Sequence, residues 1–148
     1  MAPSTNSCHS PGENLPKFPE RTHGEAGSGL KPYVKIKDVV YNIPFSATHQ
    51  NMIPVSRNPG LLTPFSANSF AKCITTGGGQ NNHHPEGYRK YSVREMACLQ
   101  GFPPDHHFHM HGIGVAMRQV GNAVPPTLGK PWFERVVKSL KETDGIDT

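Results

Sequence analysis

The 148-residue sequence contains few cysteines and no long apolar run. Its cysteines, Cys8, Cys73 and Cys98, are odd in number and form no Cys-x-x-Cys pair, so nothing in their spacing suggests a disulfide framework. No run of 18 apolar residues and no charged-then-apolar leader is present, which argues against a membrane span or a signal peptide. We therefore expect an intracellular, soluble protein without a membrane partner.

The chain is also poor in residues that build a core. Hydrophobic residues make up only 34% of it, whereas 15 glycines and 15 prolines together reach about a fifth, well above the roughly 12% of average proteins. This composition predicts a single loop-rich domain with a moderate core. The net charge of +4 and the pI near 9.1 weakly favour an anionic partner such as nucleic acid.

A short, firmly bounded helix is predicted over residues 93–100. Ser92 and Glu95 have the spacing of a capping box, in which each side chain bonds the backbone N–H of the other. Apolar residues follow at helical spacing, Gly101 suits the left-handed position after the last turn, and Pro103 prevents continuation. Arg94, inside this helix, carries a planar guanidinium with five donors, which lysine would not replace.

A second informative segment covers residues 118–126, Arg-Gln-Val-Gly-Asn-Ala-Val-Pro-Pro. Gly121 removes a Cβ where the backbone must approach a ligand or turn sharply. Asn122 offers an amide donor and an acceptor to a polar ligand. Pro125 and Pro126 stiffen the exit and suit the opening of a helix. These features predict a ligand-facing loop that leads into a helix.

Residues 91–102 and 118–126 resemble, in this order and separation, the last two sequence blocks of the DNA (cytosine-5) methyltransferases. Residues 97–103 are most similar to fungal members. The resemblance implies an α/β fold, that of a Rossmann-like domain that uses S-adenosylmethionine. This chain would be a C-terminal fragment of that domain: a loop-rich, small target-recognition part and the closing helix, without the core parallel sheet.

The resemblance also divides the chain into three parts. Residues 1–31 form an irregular, proline-rich connector, residues 32–117 a remnant of the target-recognition region that includes the helix 93–100, and residues 118–148 the cofactor loop and C-terminal helix. Within them, the residue pattern predicts short strands over residues 33–36 and 71–75 and a helix over residues 36–43. The closing helix should run to about Lys141, with Pro131 either kinking it or delaying its start.

The cofactor site follows from the second block. In the family this loop forms one wall of the S-adenosylmethionine pocket, so the resemblance assigns cofactor contacts to Asn122 and Val124, with Gly121 and Ala123 beside them.

Four charged or polar residues of the two blocks are expected to support this arrangement. Arg94 matches the family arginine that organises the target-recognition region against the catalytic domain, which implies a buried, paired guanidinium. Glu95, Arg118 and Gln119 are expected to act as further structural and target-recognition support.

The resemblance implies an enzyme that transfers a methyl group from S-adenosylmethionine to C5 of a cytosine flipped out of double-stranded DNA. In the family a cysteine of a Pro-Cys motif attacks C6 of the ring and a glutamate of a Glu-Asn-Val motif assists at N3. Neither motif occurs here. The three cysteines follow Ser7, Lys72 and Ala97, and the sequence contains no Glu-Asn-Val tripeptide. We therefore expect no catalytic residue in this chain and no activity of the chain alone, and the family implies a nuclear location.

Two other interpretations remain open. The chain could be one half of a split methyltransferase, in which a separate polypeptide carries the nucleophile. It could instead be a non-catalytic metal- or DNA-binding module, because residues 106–111 contain four histidines. Those histidines lack cysteine spacing, so no metal site is expected.

Overall fold

A computed structural model of the protein describes residues 16–55, 65–76, 83–109 and 111–145. The chain divides into two compact units. One is Arg21–Gly129, and the other combines Met1–Glu20 with Lys130–Thr148. The first unit contains every buried side chain discussed below.

The described strands form one minimal sheet. Strands β1 (His23–Gly24) and β2 (Lys31–Pro32) pair in parallel, with His23 opposite Lys31 and Gly24 opposite Pro32. The intervening turn uses Gly27 and Gly29, both with positive φ, a conformation that costs glycine little. The strand predicted over residues 33–36 is wrong: pairing ends at Pro32, which has no N–H for a further ladder bond.

Helix α1 (Ile36–Val40) begins where the chain meets the loop 66–69. The N–H groups of Ile36 and Lys37 donate to the carbonyls of Ser69 and Ala67. The helix is shorter than the predicted span 36–43, because Asn42 bonds back to the carbonyls of Asp38 and Val39 and closes the last turn. The segment 71–75, predicted as a strand, has no ladder partner among the described residues.

Helix α2 (Val93–Leu99) confirms the predicted capped helix. Ser92 Oγ accepts from the Glu95 N–H at 3.1 Å, and the Glu95 carboxylate accepts from the Ser92 N–H at 2.7 Å. Gly101 has a φ of +89° directly after the helix. Both ends are therefore fixed by local chemistry, as the sequence predicted.

The core of the larger unit lies between α1, α2 and helix α3 (Ile113–Asn122). Each helix contributes a short apolar face to it, and Tyr91 and Phe108 complete the set. The buried residues are Ile36, Val40, Tyr91, Val93, Met96, Ala97, Phe108, Ala116, Met117 and Val120.

Helix α3 corrects the prediction of a loop over residues 118–126. Residues 118–122 form the second half of α3, and only residues 123–125 connect it to the next helix. The physical reason is packing: Val120, inside the supposed loop, is fully buried with Ala116 and Met117. Burial of this apolar face stabilises helical residues whose own propensities are poor.

Helix α4 (Pro126–Asp144) starts at Pro126 and continues through Pro131, so the predicted delay of its start is wrong. The helix ends three residues beyond Lys141. In the smaller unit, Trp132 packs edge-on against Phe18 with ring centroids 4.9 Å apart. Phe133, Val137 and Leu140 of α4 are 68%, 50% and 57% exposed. Among the described helices, none combines the length and apolarity that crossing a bilayer requires.

Two glycines of α3 provide a matched test of its packing. A Cβ on Gly121 would lie 2.5 Å from the backbone nitrogen of Thr76 and 2.7 Å from the carbonyl carbon of Thr75, whereas a Cβ on Gly114 would meet nothing within 4 Å. We expect Gly121→Ala to lower the free energy of unfolding by about 1–3 kcal/mol, because backbone must move. Gly114→Ala should raise it by up to about 1 kcal/mol. Urea unfolding measures both, and equal effects would contradict the packing described.

Candidate functional site

Arg94 is completely buried and uses its whole guanidinium. Its Nε donates to the Thr48 carbonyl at 2.8 Å, its Nη1 donates to the Pro103 carbonyl at 3.1 Å, and its Nη2 donates to Thr48 Oγ1 at 2.7 Å and to the His106 carbonyl. The predicted burial is confirmed. The partners among the described residues are mostly backbone carbonyls, and no carboxylate is one of them.

These bonds join three parts of the chain that are distant in sequence. Arg94 on α2 holds the turn at Thr48 on one side and the loop 103–106 on the other. The turn is unusual because His49, which follows Thr48, has a φ of +66°. That left-handed conformation is uncommon for a residue with a side chain and costs of order 1 kcal/mol or more. The guanidinium thus compensates a strained turn.

Glu95, the next residue, anchors a second polar cluster. It is 1% exposed and receives bidentate bonds from Arg89, at 2.8 Å to Oε2 and 2.9 Å to Oε1. Gln50 Nε2 donates to Oε1 at 3.2 Å, and Nε2 of the buried His84 lies 3.8 Å from the same oxygen. Bidentate arginine–carboxylate pairing is among the stronger polar contacts in proteins.

The electrostatics of this cluster follow from its burial. Burial opposes the charge on Glu95, but the bonds from Arg89 and from the Ser92 N–H outweigh it and hold the pKa of Glu95 below its ordinary value. Burial, and then the Arg89 charge, lower the pKa of His84. Burial also raises the pKa of Tyr91 to about 12. At neutral pH the cluster therefore contains an ionised Glu95–Arg89 pair beside a neutral imidazole.

Sequence reasoning missed the partners of Arg94 and Glu95. Thr48 and Gln50 lie 46 and 45 positions from the residues they bond, and no local pattern links such distant positions. Arg89, six residues before Glu95, precedes the helix, so helical spacing could not identify it either.

The predicted cofactor residues lie at the end of α3 and in the short connection to α4. Gly121 packs against the backbone of Thr75 and Thr76, so the close approach at this glycine is to another part of the chain and leaves no room for a Cβ. The Ala123 carbonyl accepts from Gln100 Nε2 at 2.8 Å and so ties the connection to the end of α2. Asn122 is exposed, and Val124 is 63% exposed.

Arg118 and Gln119 are exposed on α3. Gln119 Nε2 donates to the His109 carbonyl at 3.4 Å. Arg118 forms no ion pair with any residue that the structure describes. The structure thus separates the four support residues into a buried pair on α2 and an exposed pair on α3.

The histidine-rich segment packs through its rings. His106 lies 4.9 Å from the ring of Phe102 and 4.6 Å from that of the buried Phe108. Within residues 16–55, 65–76, 83–109 and 111–145, no three histidine, cysteine, aspartate or glutamate side chains are grouped so that they could hold a metal ion.

Comparison with known proteins identifies the class of this chain. The family model for C-5 cytosine-specific DNA methylases matches residues 13–138, which include both α2 and the α3–α4 connection. The chain therefore belongs to the C-5 cytosine-specific DNA methylase family.

Individual relatives agree with this membership. The type II methyltransferase M.NgoFVII of Neisseria gonorrhoeae is 31% identical over 143 residues, covering 74% of this chain and 38% of the relative. The type II methyltransferase M1.HphI of Haemophilus parahaemolyticus is 36% identical over 90 residues, covering 60% of this chain and 23% of the relative. DNA (cytosine-5)-methyltransferase 1 of Mus musculus is 55% identical over 47 residues, covering 32% of this chain and 3% of the relative. The chain thus spans well under half the length of these relatives.

We expect Arg94→Lys to lower the free energy of unfolding by about 3 kcal/mol. An ammonium group has three donors and cannot reach carbonyls on both sides of α2, so at least one buried acceptor loses its partner. The control is Arg21→Lys, because Arg21 is exposed. Urea unfolding followed by circular dichroism measures both, and equal stabilities would show that the bonds of Arg94 contribute nothing.

The free energy of unfolding should decrease in two stages as the pH is lowered. The pKa of His84 is depressed from 6.5, so its neutral form stabilises the fold above 6.5 and the contribution is lost as the pH falls below it. The pKa of Glu95 is depressed from 4.5, so its contribution is complete above 4.5 and is lost at lower pH.

Glu95→Gln should remove the second stage and should lower stability at neutral pH by about 2–3 kcal/mol, because Arg89 loses its charged partner. Glu134→Gln is the control, since its carboxylate is exposed. Urea midpoints measured from neutral to acidic pH distinguish the two. If Glu95→Gln unfolds with the same pH profile as the unaltered chain, Glu95 is not the acid-sensitive group.

Proposed function

We propose that this chain supplies the cofactor-facing, C-terminal part of a DNA (cytosine-5) methyltransferase, which transfers a methyl group from S-adenosylmethionine to C5 of cytosine in double-stranded DNA. One observation supports roles for particular residues. The α3–α4 connection is fixed on its inner side by Gly121 and Ala123, while Asn122 and Val124 remain exposed. An exposed amide and an exposed apolar side chain on a rigid support suit a ligand with polar and apolar parts.

Each residue of this connection has a proposed role. The Asn122 amide both donates and accepts hydrogen bonds, so it would contact polar atoms of S-adenosylmethionine. Val124 would cover an apolar part of the cofactor. Gly121 and Ala123 hold the connection in place through the Thr75–Thr76 backbone and Gln100. The cofactor, when bound, supplies the electrophilic methyl group.

The support residues act at a distance from this connection. Arg94 and Glu95 fix α2 against the segments that pack around it, and α2 in turn holds Ala123 through Gln100. We propose that Arg94 thereby positions the target-recognition segment, as the matching arginine of the family does. Gln119 contributes by holding the loop at His109, and Arg118 remains available to a partner.

The chain alone is proposed to be inactive. Covalent catalysis in the family requires a cysteine in a Pro-Cys motif, and none of Cys8, Cys73 and Cys98 follows a proline. The nucleophile would therefore come from the upstream blocks of the family. A second candidate is assembly in trans with a separate polypeptide that carries those blocks. The exposed Phe133, Val137 and Leu140 of α4 form an apolar surface that those blocks would cover in either case, on the same polypeptide or on another chain.

A nuclear location is also proposed, on the family resemblance alone. Fluorescence microscopy of the tagged protein in its source cells tests it, and exclusion of the protein from the nucleus would contradict it.

The central test is methyl transfer from tritiated S-adenosylmethionine to duplex DNA. We expect no incorporation with this chain alone and restored incorporation after mixing with a polypeptide that carries the family's Pro-Cys and Glu-Asn-Val blocks. In that mixture Asn122→Ala should raise the KM for S-adenosylmethionine about tenfold, since one polar contact is lost. The control is Asn68→Ala, an exposed asparagine elsewhere. An unchanged KM for Asn122→Ala would remove this residue from the cofactor site.

The size of the native protein separates the two forms of the proposal. An antibody raised against residues 86–128 would detect, in extracts of the source cells, either a band far above 16.2 kDa or a band at 16.2 kDa. The larger band supports one polypeptide that contains all blocks. The smaller band supports assembly in trans.

A further inference from the structure

We propose that a cleft beside the first turns of α3, formed by Thr76, Lys90, Gly114 and Arg118, binds a backbone phosphate of duplex DNA. The proposal rests on the proposed function for the choice of ligand and adds a contact site on this chain. The cleft is open to solvent, has a volume of about 370 Å³, and does not include Asn122 or Val124 in its lining.

The local folding explains why these residues meet. Residues 114, 118 and 121 follow one another at intervals of four and three and so share one face of α3. Gly121 fixes this face against the backbone of Thr75 and Thr76, which brings Thr76 alongside Arg118. Lys90 enters from the other side, on a segment positioned by its bridge to His83 and by the capped start of α2.

The chemistry of the lining suits an anion. Lys90 and Arg118 carry two positive charges, Thr76 adds a hydroxyl, and none of the described residues that line the cleft is acidic. The floor is apolar, with Met117 only 5% exposed. Two cations over an apolar floor attract a phosphate more strongly than two cations in free solvent, because the floor lowers the local dielectric.

The size and charge of the cleft favour a DNA backbone phosphate as its occupant. The volume of the cleft accommodates a phosphodiester with its sugar. Phosphate contacts account for half or more of the hydrogen bonds in protein–DNA interfaces and set register without reading sequence. The net charge of +4 adds a general attraction for a polyanion.

Gly114 allows a sharp test of the cleft. A side chain there meets nothing within 4 Å, so Gly114→Asp places a negative charge in the cleft without steric conflict, and Gly114→Asn is its nearly isosteric neutral control. An acidic residue in the first turn of a helix is also compatible with helix stability. Arg118→Gln removes a cation from the cleft, and Arg21→Gln makes the same charge change at an exposed site elsewhere.

The measurement is fluorescence anisotropy of a short labelled DNA duplex, titrated with the full chain at several salt concentrations. We expect Arg118→Gln to weaken binding about three- to tenfold relative to Arg21→Gln and to reduce the slope of log Kd against log salt by about one. Gly114→Asp should weaken binding by a similar factor relative to Gly114→Asn. Circular dichroism checks that each variant is folded.

Several results would overturn the proposal. They are the absence of duplex binding at low salt, equal affinities of Arg118→Gln and Arg21→Gln, or equal affinities of Gly114→Asp and Gly114→Asn. Displacement of the duplex by inorganic phosphate at constant ionic strength would assign the cleft to a free anion instead. None of these results bears on the KM for S-adenosylmethionine, so failure of the cleft and failure of the cofactor role remain distinguishable.

Discussion

The packing of the larger unit depends on two adjacent residues of α2 with opposite charges, whose side chains bond to different segments of the chain. The Arg94 guanidinium satisfies carbonyls of the turn at Thr48 and of the loop 103–106, while the Glu95 carboxylate takes the bidentate bonds of Arg89. A burial of this kind is costly unless nearly every donor and acceptor is satisfied. Each charge therefore specifies where its loop must lie. In a chain with few apolar residues, these buried hydrogen bonds fix the positions of loops that a larger hydrophobic core would otherwise hold.

The sequence predicted α2 well because the information that defines α2 is local. The Ser92–Glu95 capping box and the glycine after the last turn act within one helical turn of the helix ends, and both are found as expected. The burial of Arg94 was predicted through resemblance, but its partners were not. Thr48 lies 46 positions away in a turn whose left-handed His49 no sequence pattern indicates. The neighbours of a buried charge depend on the tertiary fold.

Residues 118–126 show the opposite case, because the loop predicted there is largely helix. Gly121 and Asn122 have low helix propensity, and the prolines that follow, together with the resemblance, predicted a loop. In the structure they complete α3, because Val120 is buried in the core and Gly121 permits the contact with Thr75 and Thr76. The glycine is required for close packing of one backbone on another. Packing against a distant part of the chain, which local sequence signals do not report, determined the conformation of these residues.

The two ends of α3 differ in how tightly the rest of the chain packs against them. At one end, Gly114 leaves open space beside Arg118. Seven residues later on the same face, Gly121 is closed against the backbone, and the exposed Asn122 and Val124 follow. A helix rises 1.5 Å per residue, so seven residues fix a separation of about 10 Å between the two ends. If the cleft holds a DNA phosphate and the connection holds the cofactor, as proposed, α3 fixes the distance between these two contacts. The two glycines, opposite in their packing, would adapt this short core helix to both proposed contacts.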